Sequence, residues 1–237
     1  MKNSGEYVTL NVKDGTEMRA YVARPSSGDG PFPGLLIFQE AFGVNSHIRD
    51  LAHRFAAEGY VCIAPELFHR TAPGFEGDYN NFPAIAPHMQ ALTEEGLLAD
   101  AVAAYEWLIA QSDVRTGAIA GTGYCMGGRI AFLANTALPL KAAVSYYGGR
   151  IVPDLVKKTA QLHAPMLFFW GGLDKHIPAE HVQEVVAALK KEGRPHVSVE
   201  ISYADHGFFN DQRTAYHPQA AKEAWALTLA FLKNKLA

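Results

Sequence analysis

The stretch GTGYCMGGRI, residues 121–130, sets four glycines around Cys125, one of two cysteines in a chain of 237 residues. Within it, G-Y-C-M-G over 123–127 has the spacing of a nucleophile elbow, with cysteine where serine more often stands. The glycines make chemical sense there. A nucleophile at a sharp strand-to-helix turn sits in strained backbone, where neighbouring side chains would collide. The helix that follows aims its first amides at the same point, which favours a thiolate and a developing oxyanion alike. Packing offers a rival account, because a cysteine among glycines also serves as a small apolar filler of a close turn. Cys62, inside YVCIAPEL with no glycine turn, reads that way.

A cysteine elbow requires two partners further along the chain, an acid and then a histidine, each past the end of a strand. Asp174 follows APMLFFWGG in GGLDKHIP, and His206 follows HVSVEISYA in ADHGFFN. Taken singly, each is an ordinary loop residue. Their order, and their places at successive strand ends, favour a shared catalytic role with Cys125.

These three need a scaffold, and its elements are readable. EYVTLNVKDGTEMRAYVARP is a strand pair joined at Asp14-Gly15, and PFPGLLIFQEAFG and YVCIAPEL are short buried strands. SHIRDLAHRFAAEG between them is an amphipathic helix, with Ser46 expected as its N-cap and Gly59 as its stop. Leu67 to Pro87 reads as irregular, too long for a plain connector and of the kind that lines sites. TEEGLLADAVAAYEWLIAQ resumes as a helix, then GAIAGTGYC and GGRIAFLANTA give strand, turn and helix. KAAVSYYGG, APMLFFWGGLD and HVSVEISYADHG are three more strands; AEHVQEVVAALKKEG separates the last two, and PQAAKEAWALTLAFLKNKL closes the chain as a helix. Strands alternating with helices predict an α/β fold with a mostly parallel central sheet and helices on both faces. No linker or repeat divides it, so residues 1–237 are expected to form a single domain.

Composition removes several function classes. With 21 Lys and Arg against 24 Asp and Glu, the charge of -3 leaves no polybasic footprint for nucleic acid. No run approaches the roughly 18 apolar residues of a membrane span. The start MKNSGEYVTLNVKDG has no apolar core after Lys2, which argues against a secretory leader. Two cysteines are no disulfide framework, so a reducing compartment, the cytoplasm, is expected. Ten histidines raise the question of a metal. His176 and His181 are five apart across a proline, and His47 and His53 are six apart on a helix, so neither pair has metal-site spacing. Neither a metal nor another cofactor is expected.

QEAFGVN, GYCMGG, GGLDKHIP and ADHGFFN resemble the four signature stretches of the dienelactone hydrolases (carboxymethylenebutenolidases). The likeness runs from about Tyr7 to the C-terminal helix, and the cysteine elbow is its discriminating mark. It implies an α/β-hydrolase fold and hydrolysis of small esters or lactones. In that chemistry Cys125 attacks the carbonyl and forms an acyl-thioenzyme, His206 shuttles protons, and Asp174 holds the imidazole's tautomer and offsets its charge. The backbone amides of Met126, next after the nucleophile, and Ala41, after GLLIFQE, stand where the fold places its oxyanion hole.

Glu40 at the end of that apolar run is either a salt-bridged strand terminus or a functional carboxylate. The resemblance implies the second, since the matching glutamate of family members hydrogen-bonds the resting thiol and helps deprotonate it. By the same kinship Arg70, in LFHRTAPG, occupies the place of an arginine that grips a substrate carboxylate, a task suited to a guanidinium fork. The pattern also departs: Asn210 stands where some members carry a second such arginine, which leaves Arg213 as its substitute or as a loop anchor. Tyr147 in SYYGG, at another strand end, is either a pocket wall or a packing residue. Two other functions fit the same residues: a broader carboxylesterase or thioesterase that ignores substrate carboxylates, and a ligand-binding protein that keeps the three residues without turnover.

Overall fold

The computed structural model describes residues 5–237. The leader reading above rests partly on Met1–Ser4, which lie outside the described residues. Two compact units divide the chain, the first ending at Ile119 and the second running Ala120–Ala237. Among the described residues no helix is long and apolar enough to cross a membrane.

In the first unit β1 (Gly5–Asn11) and β2 (Glu17–Ala23) pair antiparallel, with Asn11 opposite Glu17. The turn is the expected one: Asp14 accepts from the Thr16 amide at 3.0 Å, and Gly15 takes φ +86. β2 pairs antiparallel with β4 (Val61–Pro65), which lies parallel to β3 (Phe32–Phe38). The order is β1-β2-β4-β3-β5, where β5 (Val114–Tyr124) begins in this unit and ends in the next. β4 is buried along its whole length, as a continuous apolar run on a parallel strand should be.

Helix α1 (Ser46–Ala57) buries Ile48, Leu51, Ala52 and Phe55. Its N-cap is Asn45, whose side chain accepts from the Ile48 amide at 3.3 Å, so the expected cap at Ser46 is one residue late. Asparagine and serine cap about equally well, and the backbone turn decides between neighbours. Gly59 does stop the helix, at φ +90. The expectation of an irregular Leu67–Pro87 fails at its end, where α2 (Phe82–Gln90) forms. Pro83 falls in its first turn, where proline has no amide to waste, and Pro87 lies inside it. Ile85 of α2 is buried against Ala41 and Phe42, with Phe75, Tyr79 and Met89 around them. That contact outweighs a poor helix sequence. Thr93 caps α3 (Glu94–Ile109) by accepting from the Gly96 amide at 3.0 Å.

In the second unit β5, β6 (Ala142–Tyr146), β7 (Met166–Gly171) and β8 (His196–Ile201) run parallel in that order. Helix α4 (Met126–Asn135) follows β5 with only Cys125 between them. A short 3-10 helix (Val156–Gln161), α5 (Ala179–Lys191) and α6 (Pro218–Leu236) complete the unit. Neighbouring β6 side chains show that both faces of this sheet are covered. Tyr146 hydrogen-bonds Thr228 of α6 at 2.6 Å, whereas a Cβ on Gly128 of α4 would meet Ser145 Oγ at 2.9 Å. Successive strand residues point to opposite faces, so α4 and α6 pack on opposite sides.

Two glycines separate the possible reasons for having no side chain. A Cβ at Gly128 would sit 2.7 Å from Tyr146 O and 2.8 Å from Gly148 Cα, both backbone atoms that cannot yield. At Gly59 a Cβ meets nothing within 4 Å, and only the positive φ resists it. Gly59→Ala is expected to cost about 1 to 2 kcal/mol, and Gly128→Ala about 3 kcal/mol or more. Thermal melts of the two variants check the order: Gly128→Ala falls further.

Candidate active site

β5, β7 and β8 are parallel, so their C-terminal ends fall on one edge of the second unit's sheet. Cys125 directly follows β5, Asp174 lies three residues past β7, and His206 five past β8. The structure brings all three together. His206 Nε2 lies 3.1 Å from Cys125 Sγ, and His206 Nδ1 lies 2.7 Å from Asp174 Oδ2. The His206 side chain is 10% exposed and that of Asp174 1%, so the carboxylate is sealed while the imidazole keeps one edge open.

Local backbone explains how each group is held. Cys125 adopts φ 54 and ψ -117, a conformation rare for any residue with a side chain. Two hydrogen bonds fix it: the Cys125 amide donates to Tyr146 O at 3.0 Å, and the Gly128 amide donates to Cys125 O at 2.9 Å. Gly123 is obligatory because a Cβ there would run into Gly127 O. Met126 is the first helical residue and is buried; its amide has no partner within the helix and faces the turn.

Asp174 is clamped from behind, since its Oδ1 accepts the His176 amide at 2.7 Å. That Asp-x-His turn leaves Oδ2 for His206. The His176 ring also meets His206 edge-on, with centroids 5.1 Å apart. The sequence offers His176 only as a metal candidate; the short Asp-to-amide spacing in LDKHIP is the available signal for this contact. Among the described residues no group of three or more His, Cys, Asp or Glu could hold a metal ion.

The charges around His206 oppose one another. Burial alone pulls the imidazole down, but the Cys125 sulfur and the Asp174 carboxylate outweigh it and raise His206 to about 10. His206 is therefore held toward its imidazolium form beside the sulfur. Cys62 is the contrast, fully buried in β4, where desolvation pushes its thiol up.

The remaining expected residues divide. Tyr147 is fully buried at φ 37, with its ring 5.1 Å from His206 and 5.3 Å from Phe208. Its ring packs beside the imidazole. Arg213 lays its guanidinium against Gly207, next after His206, and its amide donates to Asn210 O at 3.1 Å. Asn210, where an arginine was absent, is buried and accepts the Gln212 amide at 3.0 Å. In the first unit Glu40 and Ala41 are both buried just past β3. Gly43 there is pinned against Phe75 O, and Phe42 O accepts the Gly77 amide at 3.0 Å.

Arg70, expected as a substrate grip, is bonded to carboxylates of its own unit. Its Nη1 and Nη2 fork onto the two oxygens of Asp100 at 2.9 and 2.8 Å, and its Nε donates to Asp14 at 2.7 Å. His69 Nε2 lies 3.1 Å from the same fully buried Asp100. The guanidinium thereby neutralises the buried charge of Asp100.

A strand-turn-helix that presents a strained cysteine, with aspartate and histidine at later strand ends in that order, defines an α/β-hydrolase. The Dienelactone hydrolase family model matches residues 18–236. The chain is 38% identical over 234 residues to "Putative carboxymethylenebutenolidase" of Escherichia coli O157:H7, covering 93% of this chain and 83% of that one. A protein of the same name from Synechocystis sp. is 34% identical over 93% of each. Among solved structures, "Putative Dienelactone Hydrolase from Klebsiella pneumoniae" superposes with a TM-score of 0.89 at 33% identity, covering 97% of this chain and 98% of that one. A dienelactone hydrolase-like promiscuous phosphotriesterase from metagenomic libraries shares the fold, with a TM-score of 0.84 at 21% identity over 99% and 100%. The chain belongs to the dienelactone hydrolase family, hydrolases of the ester and lactone type.

The His206 value has a direct consequence. Because it is raised from 6.5 to about 10, the imidazolium's contribution to the folded state is complete below 6.5 and is lost as pH rises through about 10. Cys125→Ser removes the sulfur's part of that shift and leaves burial opposed by Asp174 alone. Titration of the His206 ring by NMR is expected to show the midpoint falling by about 2 pH units in Cys125→Ser. Equal midpoints in the two proteins would contradict the sulfur's part in raising His206.

Proposed function

We propose that the enzyme hydrolyses small lactones and esters through an acyl-thioenzyme on Cys125, with His206 as proton shuttle and Asp174 as its anchor. The observation that carries this reading is the continuous run of contacts from Cys125 Sγ through both His206 nitrogens to Asp174, at 3.1 and 2.7 Å. The thiolate attacks the carbonyl carbon, and the tetrahedral intermediate collapses as the imidazolium protonates the leaving oxygen. In a lactone that oxygen stays tethered to the acyl group. Neutral His206 then takes a proton from water, the hydroxide adds to the thioester, and expulsion of the thiolate restores the pair.

The Met126 amide, at the start of α4, suits one half of an oxyanion hole. The other half at Ala41, and the role of Glu40 in deprotonating the resting thiol, rest on the family resemblance. The unbroken family match over 18–236 supports a single functional domain across the chain. A free thiol nucleophile suits a reducing, cytoplasmic setting.

The captured state of Arg70 favours a broader pocket, the carboxylesterase or thioesterase reading, over one that selects carboxylated lactones through this residue. Arg70→Ala is expected to lower the melting temperature and to change activity on carboxylated lactones and neutral esters alike. A selective rise in KM for the carboxylated lactone alone would restore the grip. Steady-state rates on cyclic enol esters and p-nitrophenyl esters test the mechanism itself. Cys125→Ala should lose about 10^4-fold or more in kcat, and Asp174→Asn about 10^2- to 10^4-fold. A Cys125→Ala enzyme that kept a large fraction of its rate would place the chemistry elsewhere.

A further inference from the structure

In the resting site the His206 imidazole is tied at both ends, 3.1 Å from Cys125 Sγ and 2.7 Å from Asp174 Oδ2. A thioester sulfur is neutral and a poor acceptor, so in an acyl-enzyme Nε2 loses most of its hold. The ring then hangs from Asp174 by one hydrogen bond, and the χ2 torsion of a histidine has broad wells. Deacylation nevertheless needs Nε2 aimed at the space beside the sulfur, where water attacks.

Two rings stand beside the imidazole. The Tyr147 centroid lies 5.1 Å away at an interplanar angle of 58°, and the His176 centroid 5.1 Å away at 70°. Tyr147 is fully buried, and its amide donates to Phe169 O at 2.8 Å. His176 is exposed. Among the described residues its ring has no hydrogen bond or ion pair, and the ring it touches is His206.

An exposed, unbonded side chain ordinarily moves among rotamers, but this one starts from a fixed backbone. The His176 amide donates to Asp174 Oδ1 at 2.7 Å. The turn that carries it is stapled to the His206 loop, because the Gly172 amide donates to Ile201 O and the Leu173 amide to Ala204 O, both at 2.9 Å. A Cβ on Gly171 would stand 2.6 Å from Ala204 O, and one on Gly172 2.6 Å from Ser202 Cα, so the two loops touch backbone to backbone. Asp174, His176 and His206 thus ride on one block. The Asp-x-His spacing serves twice: the amide of His176 holds the carboxylate, and its ring covers the imidazole.

Resting on the reading of His206 as proton shuttle, we propose that His176 is a positioning residue whose ring, together with that of Tyr147, keeps the His206 imidazole aligned while the sulfur is acylated. The contact is an edge-to-face pair within the range such rings prefer. It uses the surface of the His176 ring and not its nitrogens, so an apolar ring serves equally.

His176→Ala removes the ring and keeps the amide on Asp174, and His176→Phe puts a ring back. In steady-state turnover of a p-nitrophenyl ester, kcat is expected to fall about tenfold in His176→Ala, the size one aromatic contact accounts for, and to recover to within about threefold of wild type in His176→Phe. Because the position is exposed, both variants are expected to melt within about 2 °C of wild type, which separates lost positioning from a loosened fold. Proton NMR of the ligand-free protein reads the contact without turnover. The low-field signal of His206 Nδ1–H, assigned by its loss in His206→Gln, is expected to broaden by exchange with water in His176→Ala and to stay sharp in wild type and His176→Phe. A His176→Ala protein that keeps either its kcat or its sharp signal would overturn the proposal. So would a His176→Phe enzyme as slow as His176→Ala, since the effect would then belong to the nitrogens. Should His176→Ala fail to fold, His176→Gln, also without a ring, takes its place in both measurements. Failure of the acyl-thioenzyme itself shows in the turnover of Cys125→Ala, a result on which the ligand-free signal does not depend.

Discussion

Cys125 is held at φ 54 and ψ -117 by two backbone hydrogen bonds, one from its own amide to β6 and one from Gly128 to its carbonyl. Such a conformation is unfavourable by about 1 to 3 kcal/mol for a residue with a side chain, and persists only where its surroundings overdetermine it. Here they do. Gly123, Gly128 and Gly148 are each packed so closely that a Cβ would strike backbone, and β6 lies buried between α4 and α6. The strain has a use: it starts α4 directly after the sulfur, with the Met126 amide at the turn, and leaves the sulfur within reach of His206.

The loops after β7 and β8 meet that fixed point by different devices. Asp174 is immobilised through its own turn, its second oxygen held by the His176 amide. His206 is immobilised from around it, with Tyr147 packed against its ring, His176 on its edge, and Arg213 lying over Gly207. Positioning by packing makes the imidazole's environment dry, and a dry environment raises the weight of every charge near it. The raised value of His206 comes from Cys125 and Asp174, whose pull outweighs the opposing effect of that burial.

Much of this was readable in the sequence, and the reasons differ by feature. Parallel strands such as VCIAP are continuous apolar runs, and the elbow needs glycines at fixed offsets, so both leave local marks. The order cysteine, aspartate, histidine is legible because strand ends are legible. What escaped was decided by neighbours far away in sequence. α2 forms despite two prolines because Ile85 finds Ala41 and Phe42. The partners of Arg70, Asp100 and Asp14, lie 30 and 56 residues distant. Tyr147 stands at a strand end like a pocket residue, yet its positive φ turns the ring inward against His206. No local pattern encodes any of these three.

The account depends on a sulfur that becomes covalently acylated during turnover. Rapid mixing of enzyme with a small cyclic enol ester, acid quench within the first turnover, and peptide mass mapping measures this directly. The expected result is one acyl mass on the peptide containing Cys125, labile to hydroxylamine as a thioester is, and longer-lived when Asp174 is replaced by Asn. Turnover with no adduct at any quench time, or an adduct on a hydroxyl or carboxylate elsewhere, would contradict it.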